Sequence, residues 1–321
     1  MRANEKAWGQ ATESAEGRAT GIFMAEQTQQ VRYPDFLVIG AMKSGTTTLA
    51  FDLDTHPEVG FPGGKEVGDL RRAEVLSEEG RAHYGRIFAG TPTHIKVGDA
   101  HPAYSYDLGL DVPGKARELC GSDVRLIYIM RDPIRRAISH HTHLFQRGGS
   151  TADADNDLRT DDLYVDFGLY AKQLECWLET FERSNFLFLR FEDYVRDRKQ
   201  GYQSAVRHLG LEPRLEFLTE DVLNQAENKR LPAFNNRMDQ RQLQQWRARL
   251  KNSLPAPLLS VARKMLTRPA PPPPDLPVES TLRYLYDRYS PELERLKELL
   301  GPDAPHWDLD ETIDSLLDRS S

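Results

Sequence analysis

The sequence has 321 residues, of which 39% are hydrophobic and 28% are charged, and its formal net charge is −7. This composition is that of an ordinary globular protein; it excludes a largely disordered chain and argues against nucleic-acid binding. No apolar run approaches the ~20 residues that a membrane-spanning helix needs, so we expect no integral membrane association.

The chain divides into a short leader and one folded unit. Residues 1–32 show no sustained apolar period, which predicts a flexible leader before a domain that covers residues 33–321. Residues 36–39 form an apolar run that is typical of a buried strand. After a loop of small residues, residues 46–54 carry leucines four apart, which predicts a helix.

Strands and helices alternate in the next part of the chain. Alternation of this kind implies parallel strands joined by crossover helices. We therefore expect an α/β fold: a single P-loop-like domain with a central parallel sheet flanked by helices. Further strands are predicted over 95–97, 124–130 and 186–191, and helices over 113–119, 133–145, 167–181 and 194–209.

The remaining segments are predicted from composition. The acidic residues 150–162 indicate an exposed loop, and the prolines of 269–277 indicate a polyproline-like connector. A helix predicted over 291–300 follows, and we expect it to pack back onto the main domain because the tail is too short to fold alone. Cys120 and Cys176 lie far apart and fit no metal spacing, which favours reduced thiols in a cytoplasmic protein.

The loop after the first predicted strand has the composition of a phosphate-binding site. Small residues let backbone N–H groups close around an anion, and the following helix N-terminus adds positive potential. An ordinary turn with a capped helix is the alternative without a function. The candidate ligands are Lys43, Ser44, Gly45, Thr46, Thr47 and Thr48.

The residue order in this loop differs from a Walker A motif. In that motif a lysine follows the second glycine, whereas here Lys43 precedes Gly45 and Thr46 takes the lysine's place. This order weakens the interpretation as a P-loop small-molecule kinase, which would need Mg²⁺ and a nucleoside triphosphate. The kinase and a nucleotide-binding protein without turnover are the two alternative functions.

A second candidate phosphate site follows the strand predicted over 124–130. Arg131 stands directly after this strand, and Pro133 can open a helix. Ser139 then lies nearly two turns along that helix. An arginine at a strand end and a serine on the next helix can converge on one phosphate, where arginine gives a charge-assisted contact.

The two motifs together resemble those of the sulfotransferases that use 3′-phosphoadenosine-5′-phosphosulfate (PAPS), above all the branch of the heparan-sulfate sulfotransferases and their bacterial relatives. In that family the segment matching residues 34–49 holds the 5′-phosphosulfate, with the lysine matching Lys43 beside the bridging oxygen. Residues matching Arg131 and Ser139 hold the 3′-phosphate. The resemblance implies sulfuryl transfer from PAPS to a hydroxyl or amine, with 3′-phosphoadenosine-5′-phosphate (PAP) as product and no metal ion.

The resemblance also implies catalytic groups. Glu66, which follows a lysine in a Gly-rich turn, resembles the glutamate proposed as general base. His143 lies one helical turn after the phosphate-binding serine, where some members have a histidine near the acceptor. Lys229 and Arg230 match a loop that covers the 3′-phosphate, although a solvated basic loop is an equal alternative.

Residues 99–104 depart from the family pattern. The family commonly has Glu-Lys-Ser or Glu-Lys-Thr before a proline and a tyrosine, whereas this chain has Ala100 and His101 at the second and third positions. A cation near the transferred group is lost if nothing replaces that lysine. The other sulfotransferase branch has a histidine base after a comparable strand, so this resemblance makes His101 a rival of Glu66 for the role of base.

The acceptor is left open by these motifs. A small molecule, a glycan or a lipid remains compatible, and the examples we consider are a sugar, a glycolipid and a secondary metabolite. The resemblance, without the membrane anchor of Golgi members, implies a cytoplasmic bacterial enzyme.

Overall fold

The structure is a computed structural model that describes residues 31–64, 66–106, 108–219, 230–232 and 267–319, with only the backbone of residues 230–232, 267 and 268. Its centre is a parallel sheet of five strands in the order β2-β3-β1-β4-β5. The predicted parallel α/β fold is confirmed. The strands are β1 (Phe36–Gly40), β2 (Val59–Gly60), β3 (Lys96–Ala100), β4 (Arg125–Met130) and β5 (Phe186–Arg190).

Strand β1 lies in the middle of the sheet and sets the position of the functional loops. Phe36 pairs with Gly98 of β3 on one side and with Arg125 of β4 on the other. Because all three strands run in the same direction, the loops that follow them meet at one edge. Residues 36–39 of β1 are completely buried, which explains their continuous apolar run.

Helices cover both faces of the sheet. Alternate residues of β1 point into two separate cores: Leu37 and Ile39 into one, Phe36 and Val38 into the other. The α-helices of the described part are α1 (Thr46–Asp54), α2 (Glu78–Phe88), α3 (Val112–Cys120), α4 (Pro133–Gln146), α5 (Ala154–Thr160), α6 (Leu163–Asp166), α7 (Tyr170–Thr180), α8 (Phe191–Arg196), α9 (Arg198–His208), α10 (Glu279–Leu300) and α11 (Leu309–Leu317).

Two local predictions are wrong. The acidic stretch 150–162 contains helix α5, because Asp153 caps its N-terminus and Ala154 and Leu158 supply a buried face. The helix predicted over 194–209 is divided into α8 and α9. Asp197 lies between them and caps α9 by accepting a hydrogen bond from Gln200 N at 3.0 Å.

The C-terminal segment is more helical than predicted. Helix α10 begins at Glu279 and includes Pro291, which the sequence had suggested as its first residue. As expected, this helix packs against the main domain, where its Leu282 and Leu285 join the larger core. Helix α11 follows and also joins this core.

Several predicted segments lie outside the described residues or at their border. Residues 1–30 of the predicted leader, Lys65 and Lys229 are outside them. Strand β6 (Arg230–Pro232) pairs antiparallel with β7 (Thr267–Pro269), after which residues 270–278 run without regular structure, as the proline composition predicts. No helix in the described ranges is long and apolar enough to cross a membrane.

Candidate active site

The loop between β1 and α1 is shaped to receive an anion. Lys43 and Gly45 both have positive φ angles, 67° and 91°. A Cβ atom on Gly45 would lie 2.7 Å from the ring of Phe191, so a side chain is excluded there. No side chain caps α1, and the N–H groups of its first turn point toward the loop. This arrangement leaves the helix N-terminus available to a phosphate.

Helix α4 places His143 against the same loop. The Nζ atom of Lys43 lies 3.4 Å from Nδ1 of His143. Because an ammonium group can only donate, Nδ1 accepts here and the neutral ring carries its proton on Nε2. Ser139 is half-buried one turn earlier on the same face of α4. The two predicted phosphate motifs therefore meet in space.

Arg131, at the end of β4, contacts the same loop. Its Nη1 atom donates to the carbonyl oxygen of Lys43 at 3.4 Å, and its guanidinium lies over the Phe191 ring, 4.9 Å from the centroid. Its Nε atom is buried and has no hydrogen-bond partner in the described part of the chain. Burial lowers the pKa of Arg131, while Glu192 and Asp132 oppose this shift. A buried guanidinium with an unused N–H group suits an anionic ligand.

A hydrogen-bonded network outside the predicted motifs holds Arg131 in place. The Tyr170 hydroxyl donates to the carbonyl oxygen of Arg131 at 2.7 Å. Glu192 accepts from Asp132 N at 3.0 Å and from Trp307 Nε1 at 2.9 Å. These groups were missed from the sequence because they come from α7, α8 and the segment before α11. Of these residues, only Glu192 could have been suspected from the sequence, because it directly follows a predicted strand.

The end of β3 brings Glu66 and His101 together. Glu66 N donates to the carbonyl oxygen of Ala100 at 2.6 Å, and Glu66 itself has a φ angle of 68°. Gly68 lies against the imidazole of His101: a Cβ atom on this glycine would be 3.2 Å from Cδ2. The two rival bases therefore lie close together at the edge of the sheet where β1 ends, since His101 N also bonds Val38 O of β1 at 3.1 Å.

His101 is held as a neutral hydrogen-bond donor. Its Nδ1 atom accepts from Ala103 N at 3.2 Å, so the neutral ring carries its proton on Nε2. Burial lowers the pKa of His101 to about 4, and the charge of Arg71 lowers it further, against the opposing effect of Glu66. Near neutral pH the ring therefore offers an N–H group and has already used its acceptor nitrogen.

Asp99, two residues before His101, is a buried carboxyl group. It accepts hydrogen bonds from the hydroxyls of Tyr84 at 3.0 Å and Tyr104 at 2.5 Å. Burial raises the pKa of Asp99 to about 6, although both tyrosines oppose the shift. The pair of tyrosines anchors the end of β3 from which His101 projects.

The other predicted residues have different environments. Ser44 is fully buried beside the Tyr170 hydroxyl, Thr46 is buried, and Thr47 and Thr48 are half-buried in the first turn of α1. Arg230 is described by its backbone alone. Within the described ranges, no three His, Cys, Asp or Glu side chains are grouped as metal ligands.

Comparison with known proteins also indicates a similarity to sulfotransferases. Residues 112–253 match the family model described as "Sulfotransferase domain". Heparan sulfate glucosamine 3-O-sulfotransferase 6 of Homo sapiens is 28% identical over 193 residues, 56% of this chain and 53% of that protein. The 3A1 enzyme of Mus musculus, also named a heparan sulfate glucosamine 3-O-sulfotransferase, is 26% identical over 213 residues, 63% and 52% of the two chains.

A solved structure is similar in fold. The sulfotransferase from Alicyclobacillus acidocaldarius aligns with a TM-score of 0.57 and 20% identity over 84% of this chain and 96% of its own. Fold and site thus define an α/β protein with a candidate phosphate-binding loop at the carboxyl edge of a parallel sheet. The chain is similar to sulfotransferases and, among them, to the heparan sulfate enzymes. It spans about half the length of those relatives.

Proposed function

We propose that the protein is a sulfotransferase that moves a sulfuryl group from PAPS to an acceptor hydroxyl or amine. The meeting of the two phosphate motifs carries the proposal: Lys43 lies 3.4 Å from His143, and Arg131 lies 3.4 Å from the Lys43 carbonyl oxygen. The match of residues 112–253 to a sulfotransferase domain supports the reaction class.

The residues around the loop fit the two charged ends of the donor. Lys43 and the first turn of α1 would hold the 5′-phosphosulfate. Arg131 and Ser139 would hold the 3′-phosphate, and the buried unpartnered Nε of Arg131 supports this assignment. Lys229 and Arg230 remain predicted contacts of the same phosphate.

Each catalytic group has one proposed task. Bound PAPS supplies an activated sulfuryl group. Glu66 takes the proton from the acceptor hydroxyl, and the ammonium of Lys43 donates to the oxygen that becomes negative when the donor bond breaks. His143 positions Lys43 through the 3.4 Å contact. His101 offers an N–H donor at Nε2 beside Glu66, because its Nδ1 already accepts from Ala103 N.

The kinase alternative is not favoured. Thr46, in place of the Walker lysine, is the first residue of α1, and Lys43 approaches from the opposite end of the loop. A binding protein without turnover is supported only by Ala100, which brings no charge to the end of β3. Binding of PAPS with no sulfuryl transfer to any acceptor would favour this alternative.

The acceptor and the compartment belong to the proposal as well. We infer a small-molecule, glycan or lipid acceptor, since the named relatives act on heparan sulfate glucosamine. We also infer a cytoplasmic, bacterial enzyme. Free thiols at Cys120 and Cys176 fit a reducing compartment.

Substitution of Arg131 tests the donor assignment. We expect Arg131→Met to weaken PAP binding at least about 10-fold, because a charge-assisted hydrogen bond contributes about 1.5–3 kcal/mol. The matched control is Arg125→Met, at the other end of the same strand, where the side chain bonds Ser184 O. Calorimetric titration with PAP gives both values. Wild-type affinity in Arg131→Met contradicts the assignment.

A further inference from the structure

Arg71 is a cation that none of the motifs includes. It ends the short 3₁₀ turn Asp69–Arg71 that follows Glu66, and its N–H group donates to Gly68 O at 3.2 Å. This turn keeps the backbone of Arg71 close in sequence and in space to Glu66. Gly68, inside the same turn, lies against His101.

The side chain of Arg71 has unused hydrogen-bonding capacity. Its Nε atom is buried and has no hydrogen-bond partner among the residues that the structure describes. The next residue behaves differently, since Arg72 pairs with the buried carboxylate of Asp69 at 3.3 Å. The two adjacent arginines therefore differ. Arg72 forms an ion pair within the fold, whereas Arg71 keeps a buried N–H donor without a partner among the described residues.

The charge of Arg71 acts on two residues of the segment that follows β3. It adds to the effect of burial in lowering the pKa of His101, and it opposes the rise that burial causes in the pKa of Tyr106. His101 and Tyr106 begin and end the segment that follows β3. Arg71 is thus a positive charge beside this segment, where Ala100 contributes none.

We propose that Arg71 binds an anionic oxygen group on the acceptor side of the centre, next to Glu66 and His101. A guanidinium presents N–H donors in the planar arrangement that sulfate or carboxylate oxygens accept. The group is either the sulfuryl moiety as it arrives on the acceptor or an acidic substituent of the acceptor. The inference rests on the proposed sulfotransferase function.

The test measures binding of defined probes to the PAP-loaded protein. 4-Nitrophenyl sulfate represents a sulfated product, 4-hydroxybenzoate represents an acidic acceptor, and phenol is the neutral reference. We expect the wild-type PAP complex to bind at least one anionic probe 10-fold or more tightly than phenol. Preference for the sulfate ester identifies the sulfuryl moiety, and preference for the carboxylate identifies an acidic acceptor.

Substitutions then assign the preference to Arg71. We expect Arg71→Gln to lose the preference for the anion at least 10-fold while its PAP affinity stays within 2-fold, and Arg71→Lys to retain part of it. The control is Arg72→Gln, which keeps the preference. An unchanged preference in Arg71→Gln, or none in the wild type, overturns the inference. Failure of the wild type to bind PAP is a different result, because it contradicts the proposed function itself.

Discussion

At the scale of single residues, the sequence leaves two candidates for the base, Glu66 and His101, whose surroundings differ. His101 uses Nδ1 to accept from Ala103 N, and its pKa lies at about 4. The backbone N–H of Glu66 is bonded to Ala100 O, which fixes this residue beside His101. Because the acceptor nitrogen of His101 is already in use, we keep Glu66 as the proposed base.

The first prediction concerns the titration of His101. Because burial disfavours the imidazolium, we expect the His101 ring to stay neutral until the pH falls to about 4. The unfolded chain takes up this proton near the ordinary pKa of ~6.5, so the contribution to stability is present above that pH and is lost as the pH falls toward 4. NMR of the ring, assigned by comparison with His101→Gln, measures the titration. Protonation near 6.5 would contradict it.

The second prediction concerns the chemical step. General base catalysis contributes about 10²–10⁴-fold in rate, so Glu66→Gln should lower transfer from ³⁵S-labelled PAPS to a phenolic test acceptor by at least about 100-fold. PAP affinity should remain unchanged, because the substitution leaves both phosphate subsites intact. An active Glu66→Gln together with an inactive His101→Ala would assign the base to His101 instead.

At the scale of elements, helix α11 packs against the residues that carry the proposed donor site. Thr312 of α11 donates from Oγ1 to Oδ2 of Asp132 at 2.6 Å, and Asp132 caps α4 by accepting from Arg135 N at 2.8 Å. Burial raises the pKa of Asp132, so the hydrogen bonds compensate a desolvated carboxyl group. The C-terminal segment is therefore coupled to the strand end that carries Arg131.

The third prediction tests this support. Thr312→Val removes a donor to a buried carboxyl group without changing the side-chain shape, which should lower the free energy of unfolding by about 1–3 kcal/mol. Thr312→Ser keeps the hydroxyl and serves as the control. Denaturant unfolding curves of the three proteins give the values. Equal stability of Thr312→Val and the wild type would contradict the role of this bond.

The success of sequence-based prediction at this scale depended on burial. Strands β1 and β4 were found because both their faces are buried and their apolar runs are continuous. Helix α5 was missed because its acidic residues are visible in the sequence, whereas its small buried face, Ala154 and Leu158, gains meaning only from the core it contacts. Chain order likewise predicted the meeting of Lys43 with Arg131 but not the contacts of Phe191 or Arg71.

At the scale of the whole molecule, three strands end at one place and supply three parts of the site. Strand β1 provides the phosphate loop, β4 provides Arg131, and β3 provides His101 with Glu66 beside it. The parallel direction of the strands was predictable from the alternation of elements. Which side chains are desolvated at this edge was not, because that depends on the packing of distant helices.

The fourth prediction concerns global stability as a function of pH. Burial raises the pKa of Asp99 from its ordinary value of 3.8 to about 6, so the folded protein retains this proton more firmly than the unfolded chain. Its contribution to stability is full below about 4 and is lost as the pH rises through 6, by on the order of 3 kcal/mol.

Asp99→Asn provides the comparison for this prediction, because it cannot ionise. The difference in unfolding free energy between the wild type and Asp99→Asn should therefore shift in favour of the variant between pH 4 and pH 7. Denaturant unfolding across this range measures it. Parallel curves for the two proteins would show that Asp99 does not titrate in this way.

Selective donor binding is the central claim, and isothermal titration of the wild-type protein with PAP in the presence of EDTA tests it most directly. ADP and ATP serve as reference ligands. We expect metal-independent binding that requires the 3′-phosphate, since Arg131 and Ser139 are assigned to that group. No binding of PAP, or a preference for ATP with Mg²⁺, would contradict the account and favour the kinase.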